Sequence, residues 1–248
     1  MSVPMSAPDA TTLLAAWEQG VSQHPLQRAV TLLALACPHK SVIEWAGVSI
    51  GERDRQLFQL REELFGSKLE AVAGCPKCGI PLELSLSTRN LQTPPAETLS
   101  SEPLCLNSGG YEVNYRLPTT ADLLEVAEHE SQARELLLER CVNARQGAIE
   151  VPAATLPGPL VELVGEKMAQ ADPQAEIQIV MTCPACSHQW TAVFEICSFL
   201  WGEIEDWAER LLHDVHSLAK AYGWSERDVI SMSARRRRLY LEMAGARI

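Results

Sequence analysis

Two Cys-Pro-x-Cys turns, "CPKCGIPLEL" at 75–84 and "CPACSHQWTA" at 183–192, constrain this chain more than any other feature. Two residues between cysteines let both sulfurs of a tight turn face one ion, with Zn–S bonds of about 2.3 Å. Cys75, Cys78, Cys183 and Cys186 therefore predict a single tetrahedral Zn2+ site. A strand-like segment enters each turn, "KLEAVAG" and "EIQIVMT", and another leaves, as in the knuckles of a zinc ribbon. Because 104 residues lie between Cys78 and Cys183, the ribbon must be split by an insertion. Loop-closure cost grows only logarithmically with length, so such a split is tolerable.

A site closed by four thiolates has no position left for substrate, which makes the expected metal structural. The redox alternative needs one Cys-x-x-Cys pair at a helix N-terminus, where the dipole lowers a thiol pKa. Here both pairs lead into strands. Gly79 after the first pair permits the positive φ such turns demand, whereas Ser187 holds that place in the second. His188 offers a possible replacement for one sulfur, with an ordinary strand-edge histidine as the plainer reading. Cys37, Cys105, Cys141 and Cys197 lie singly in apolar settings and read as buried thiols.

The remaining pattern is helical at both ends. Asp9 can cap "ATTLLAAW", Pro25 opens "PLQRAVTLLALAC", and Leu57, Leu60 and Leu64 share one face of a helix ended by Gly66. Alternation of apolar residues predicts strands at 80–86, 111–117, 177–181 and 190–196, around the cysteine turns. "QTPPAETLSSEP" (92–103) and "VPAATLPGPL" (151–160) read as loops, and Thr119 with Asp122 as a capping box. In the last third, Leu200, Ile204, Trp207, Leu211, Val215, Leu218 and Tyr222 form a helical stripe ended by Gly223, followed by helices begun at Ser225 and Ser233. The expected architecture is α+β: a helical region (1–67), a split zinc-ribbon-like antiparallel sheet (68–197) with a helical insertion at about 118–172, and a C-terminal helical module (198–248).

A net charge of −11 argues against general nucleic-acid or anionic-bilayer binding. The start "MSVPMSAPDATT" lacks the pattern of a secretory signal, and no apolar run reaches the roughly 20 residues of a membrane span. Eight cysteines without a signal suit a reducing, cytoplasmic setting. The run Arg235, Arg236, Arg237, Arg238 reads as a solvated face that pairs with acidic groups. His213, His216 and Glu209 read as an exposed, salt-bridging face. No phosphate-binding glycine loop, nucleophile elbow or H-E-x-x-H appears, so no enzyme is expected.

Several ordered stretches carry a family likeness: "VSIGERDRQLFQLREELFG" before "CPKCG", then "YEVNYRLPTTADLLEVA", then "DPQAEIQIVMTCPACSHQW". Together they resemble the T-even bacteriophage baseplate family of hub and hub-assembly proteins found with contractile tails. The closing "WGEIEDWAERLLHDVHSLAKAYGWSERDVISMSARRRRLYLEM" looks like the C-terminal helical module of versions linked to phage tails and contractile injection systems. The likeness runs from about residue 48 to 243. It implies a component or assembly helper at the centre of a baseplate, cytoplasmic during assembly, with hub, tail-tube or wedge proteins as partners. It carries no catalytic residues. Trp201, Trp207, Tyr222, Trp224 and Arg235 to Arg238 are the expected partner anchors, with closure of the protein's own core as the other reading of the aromatics. The alternative function is a zinc-ribbon regulator that binds nucleic acid; a thiol oxidoreductase stands third.

Overall fold

The computed structural model describes residues 5–93, 104–129 and 131–245. Most of the expected loop at 92–103 therefore lies outside the described residues. In chain order the elements are α1 (Ala10–Gly20), α2 (Pro25–Ala36), α3 (Val42–Ala46), α4 (Ile50–Phe65), β1 (Lys68–Gly74), β2 (Pro81–Ser87), α5 (Thr88–Leu91), β3 (Leu104–Ser108) and β4 (Tyr111–Tyr115). There follow α6 (Thr120–Val126), α7 (Ala133–Cys141), β5 (Val142–Gln146), β6 (Ile149–Val151), α8 (Gly158–Ala171), β7 (Ile177–Thr182), β8 (Gln189–Phe194), α9 (Ile196–Tyr222), α10 (Glu226–Ile230) and α11 (Ala234–Met243). The fold is mixed helix and sheet, and its sheets are small and antiparallel.

The helix boundaries follow local chemistry. Asp9 accepts from the Thr12 N–H at the start of α1, and Ser49 accepts from Glu52 at the start of α4. Thr119 and Asp122 form a reciprocal capping box on α6, and Gly66 ends α4 with φ +85°. From α4, Leu57, Phe58 and Leu60 are fully buried against Leu33 of α2 and Ile196, Leu200 and Ile204 of α9. Helices before residue 67 and the first half of α9 thus share one core. Its packing is tight: a Cβ added at Gly20 would lie 2.2 Å from the Trp201 ring.

Two hairpins grow from this core. In β1–β2, Leu69 pairs with Leu86; in β7–β8, Ile177 pairs with Phe194. All four join the same hydrophobic cluster. The outward positions Val72, Val180 and Val193 are exposed, as period-2 alternation requires. Each hairpin is its own two-stranded sheet.

The insertion differs from the helical one expected. It holds a four-stranded meander, β3-β4-β5-β6, as well as α6, α7 and α8. Strand 111–115 belongs to this meander rather than to the cysteine turns. Val113, Tyr115, Val142 and Ala144 face α8 residues Leu160 and Val164 in a second core. On edge strand β3, Leu104 and Leu106 turn toward this core and Cys105 turns out, so Cys105 is exposed rather than buried. The segment 151–160 is likewise not all loop, because α8 begins at Gly158.

The second half of α9 packs Ala208 and Leu211 against Leu14 and Ile230, and Leu218 against Val229 and Leu241. Ile196, expected as the last residue of a strand, instead opens α9 and is fully buried. Cys197, one residue on, is buried, and burial pushes its thiol up to about 12. Among the described residues no helix is long and apolar enough to cross a membrane.

Candidate metal centre

Each Cys-x-x-Cys pair occupies the tip of one hairpin, and the two tips meet. The Cys75 and Cys186 sulfurs lie 3.7 Å apart, the Cys78 and Cys183 sulfurs 3.6 Å apart, and all four fall within 4.8 Å of one another. A tetrahedron with metal–sulfur bonds of about 2.3 Å has edges of about 3.8 Å, so these residues fit a four-thiolate ion. The first cysteine of each pair is buried; Cys78 is exposed and Cys186 half-buried.

The two turns are built alike. Cys75 N–H donates to the Ile80 carbonyl at 2.9 Å and Gly79 N–H to the Cys75 carbonyl at 2.8 Å. Cys183 N–H donates to His188 and Ser187 N–H to Cys183, both at 2.9 Å. Gly79 sits at φ +74° and Ser187 at φ +55°, so serine takes the left-handed conformation that glycine takes in the other turn. The lack of a second glycine has not changed the knuckle.

Electrostatics in the cluster favour a cation. The Cys183 thiol is drawn down to about 7, chiefly by backbone N–H groups of Cys186 and Ala185. For Cys186 the His188 N–H acts to lower the pKa, but burial and the other three sulfurs outweigh it and push the thiol up. One thiolate thus forms readily while Cys78 and Cys186 resist further charge. A divalent cation removes that conflict, since a coordinated thiol is deprotonated outright.

Three clips fix the hairpin roots, and none was evident from sequence because the partners are remote. The Arg61 guanidinium, buried at the end of α4, donates to both carboxylate oxygens of Glu203 on α9, at 2.9 and 2.6 Å, and to the Lys68 carbonyl where β1 begins, at 2.6 Å. Asp172 accepts from Gly51 N–H at 2.8 Å, joining the N-terminus of α4 to the segment before β7. Gln174 is fully buried: its amide donates to Leu91 O at 3.2 Å, and its oxygen accepts from Thr93 N–H at 2.7 Å. This residue ties the chain after β2 directly to the chain before β7.

The other candidate residues disperse. The His188 ring stacks on Trp190 at 6.0 Å and stands outside the sulfur cluster. Among the described residues the four cysteines are the one group placed to hold a metal ion, and His213, His216 and Glu209 are simply exposed on α9. Trp201 is no exposed anchor. It is buried against Gly20, with the Arg28 guanidinium 4.5 Å from its ring centroid. Trp207 is half-buried between two parts of the core. Tyr222, Trp224 and Tyr240 form their own aromatic group, with Tyr222 and Trp224 stacked at 4.5 Å. Of the arginines, Arg237 is bound to Asp214 at 2.8 Å and Arg238 faces Glu242 at 3.5 Å, while Arg235 and Arg236 are exposed. On α11, Leu241 and Tyr240 pack inward, while Leu239 and Met243 are exposed.

Fold and site together define a mixed helix-and-sheet protein whose two hairpin tips form a four-cysteine cluster able to hold a metal ion. Comparisons with protein-family models, curated proteins and solved structures return no match.

Proposed function

We propose that the cluster binds one structural Zn2+, closing a split zinc ribbon, and that the chain is a non-enzymatic scaffold or assembly component at the baseplate hub of a contractile tail-like particle. The observation that carries the metal reading is the tetrahedron-sized spacing of four sulfurs drawn from two remote hairpins. Four thiolates select zinc over harder cations and leave no open coordination position for chemistry. The bound ion supplies a rigid cross-link, and Gln174, Asp172 and Arg61 hold the hairpin roots so that the tips arrive together.

The baseplate role rests on the ordered likeness of the 48–243 segment to hub and hub-assembly proteins. A scaffold of this kind needs a fixed shape and exposed docking groups, and the C-terminal helices offer Tyr222, Arg236 and Arg238 at the surface. Elemental analysis of purified chain should give one zinc per chain, and the full chain should capture hub, tail-tube or wedge proteins of such a particle. Absence of stoichiometric metal removes the brace. Failure to capture any of those proteins, with zinc bound, removes the baseplate role alone.

A further inference from the structure

Helix α11 and the groove beside α8 carry opposite charge on matching apolar surfaces. Leu241, Tyr240 and Arg237 turn α11 inward, leaving Arg235, Leu239 and Met243 on the outer face at intervals of one turn. Met243 is 72% exposed and Leu239 48%. Arg235 has no ion-pair or hydrogen-bond partner among the described residues, so its charge is available in a chain of net charge −11. This face is apolar and basic.

The opposite character appears on the insertion. A groove of about 460 Å³ runs between the β3–β4 turn and α8, with Tyr111, Pro157, Pro159 and Leu163 in its wall. Glu162 and Glu166, one helical turn apart on α8, line the same groove. Neither carboxylate has an ion-pair partner among the described residues. Two carboxylates about 6 Å apart along a helix match arginine and apolar side chains repeated at the same one-turn interval.

We propose that α11 of one copy docks in the Tyr111–Glu166 groove of a second copy, so that the chain self-associates head to tail. Leu239 and Met243 enter against the proline and tyrosine wall, and Arg235 reaches the two glutamates. The two patches are different surfaces, which makes the contact heterologous and able to continue into a ring or a short string. One helix in one groove buries less than the about 1,600 Å² of a standard interface, so association is weak and concentration-dependent. It also weakens with salt.

Sedimentation velocity on the metal-loaded full chain, at low and high salt, tests this with two variants. Arg235→Ser with Met243→Ser spoils the helix face, and Glu162→Arg with Glu166→Arg spoils the groove; all four positions are exposed, and circular dichroism checks that each variant keeps its fold. The wild type should grow with concentration, and each variant alone should lose association by about tenfold or more. Mixed together, the variants should form a one-to-one pair that grows no further, because one good helix then meets one good groove. A wild type that stays monomeric overturns the proposal. So does a groove variant that associates as the wild type does, which places the contact elsewhere, or a mixture that fails to pair.

Discussion

Asp122 does more than cap a helix. Its carboxylate accepts from both terminal guanidinium nitrogens of Arg116, at 2.6 and 2.7 Å, and from the Arg140 Nε at 2.9 Å, in addition to the Thr119 capping bonds. Burial alone would raise its pKa, yet Arg116, Thr119 and Arg140 together hold it well below the ordinary 3.8. A depressed carboxyl pKa contributes stability that is fully present above the unfolded value and is lost as pH falls toward the folded one. Below about pH 4 the wild type should therefore lose stability steeply. Asp122→Asn should cost about 2 kcal/mol near neutral pH, no more, because Arg116 and Arg140 are partly exposed and regain water. Urea unfolding across the acid range checks this: the variant's curve should be flatter and should meet the wild-type curve in acid. The capping box at Thr119 was legible because its signal lies within four residues. The Arg140 bond was not, since it depends on a helix reversal that no local pattern announces.

At the scale of elements, the knuckles and strands show where local pattern suffices and where it fails. Cysteine spacing located both hairpin tips, because ligand geometry acts over four residues. The meander was half hidden: α7 passes into β5 at Cys141–Val142 with no glycine or proline between, so the helical run gave no stopping signal. Ile196 satisfied both a strand alternation and the helical series Ile196, Leu200, Ile204, and tertiary burial decided for the helix. The knuckles themselves yield a clean test, since a Cβ at Gly79 would meet nothing within 4 Å. Gly79→Ala should then cost about 1 kcal/mol from backbone conformation alone. Ser187→Gly should be neutral or stabilising by less, because relief of its φ of +55° is offset by a freer unfolded chain. Denaturant midpoints of the zinc-loaded variants measure both. Gln174→Ala belongs to the same scale: it leaves Leu91 O and Thr93 N–H without their partner and should cost about 1–3 kcal/mol. Because it loosens the roots, it should also weaken zinc affinity in a chelator competition.

For the whole molecule, the question is how far loss of the proposed zinc would spread. Zinc binding in small peptides is worth about 10–16 kcal/mol, comparable to the about 5–15 kcal/mol of a whole domain. If the ion alone closed the loop between Cys78 and Cys183, it would also bear a closure cost of about 4 kcal/mol, and its removal would release the entire insertion. The structure divides the work differently. Leu69, Leu86, Ile177 and Phe194 root both hairpins in the helical core, and Gln174 joins them there, so the loop is already closed without the tips. The meander has a core of its own around Val113 and Val164. Chelation should accordingly free the tips, where the four sulfurs meet, and leave both cores folded. Hydrogen exchange should rise within 68–87 and 177–194, strongest near the cysteines, while β4, β5 and the buried turns of α4 and α9 keep their protection. Cys78→Ser, at the exposed ligand, should reproduce that pattern with zinc present. Uniform loss of protection across the chain would show that the metal holds the whole fold, and no change at all would show that the hairpin tips never depended on it.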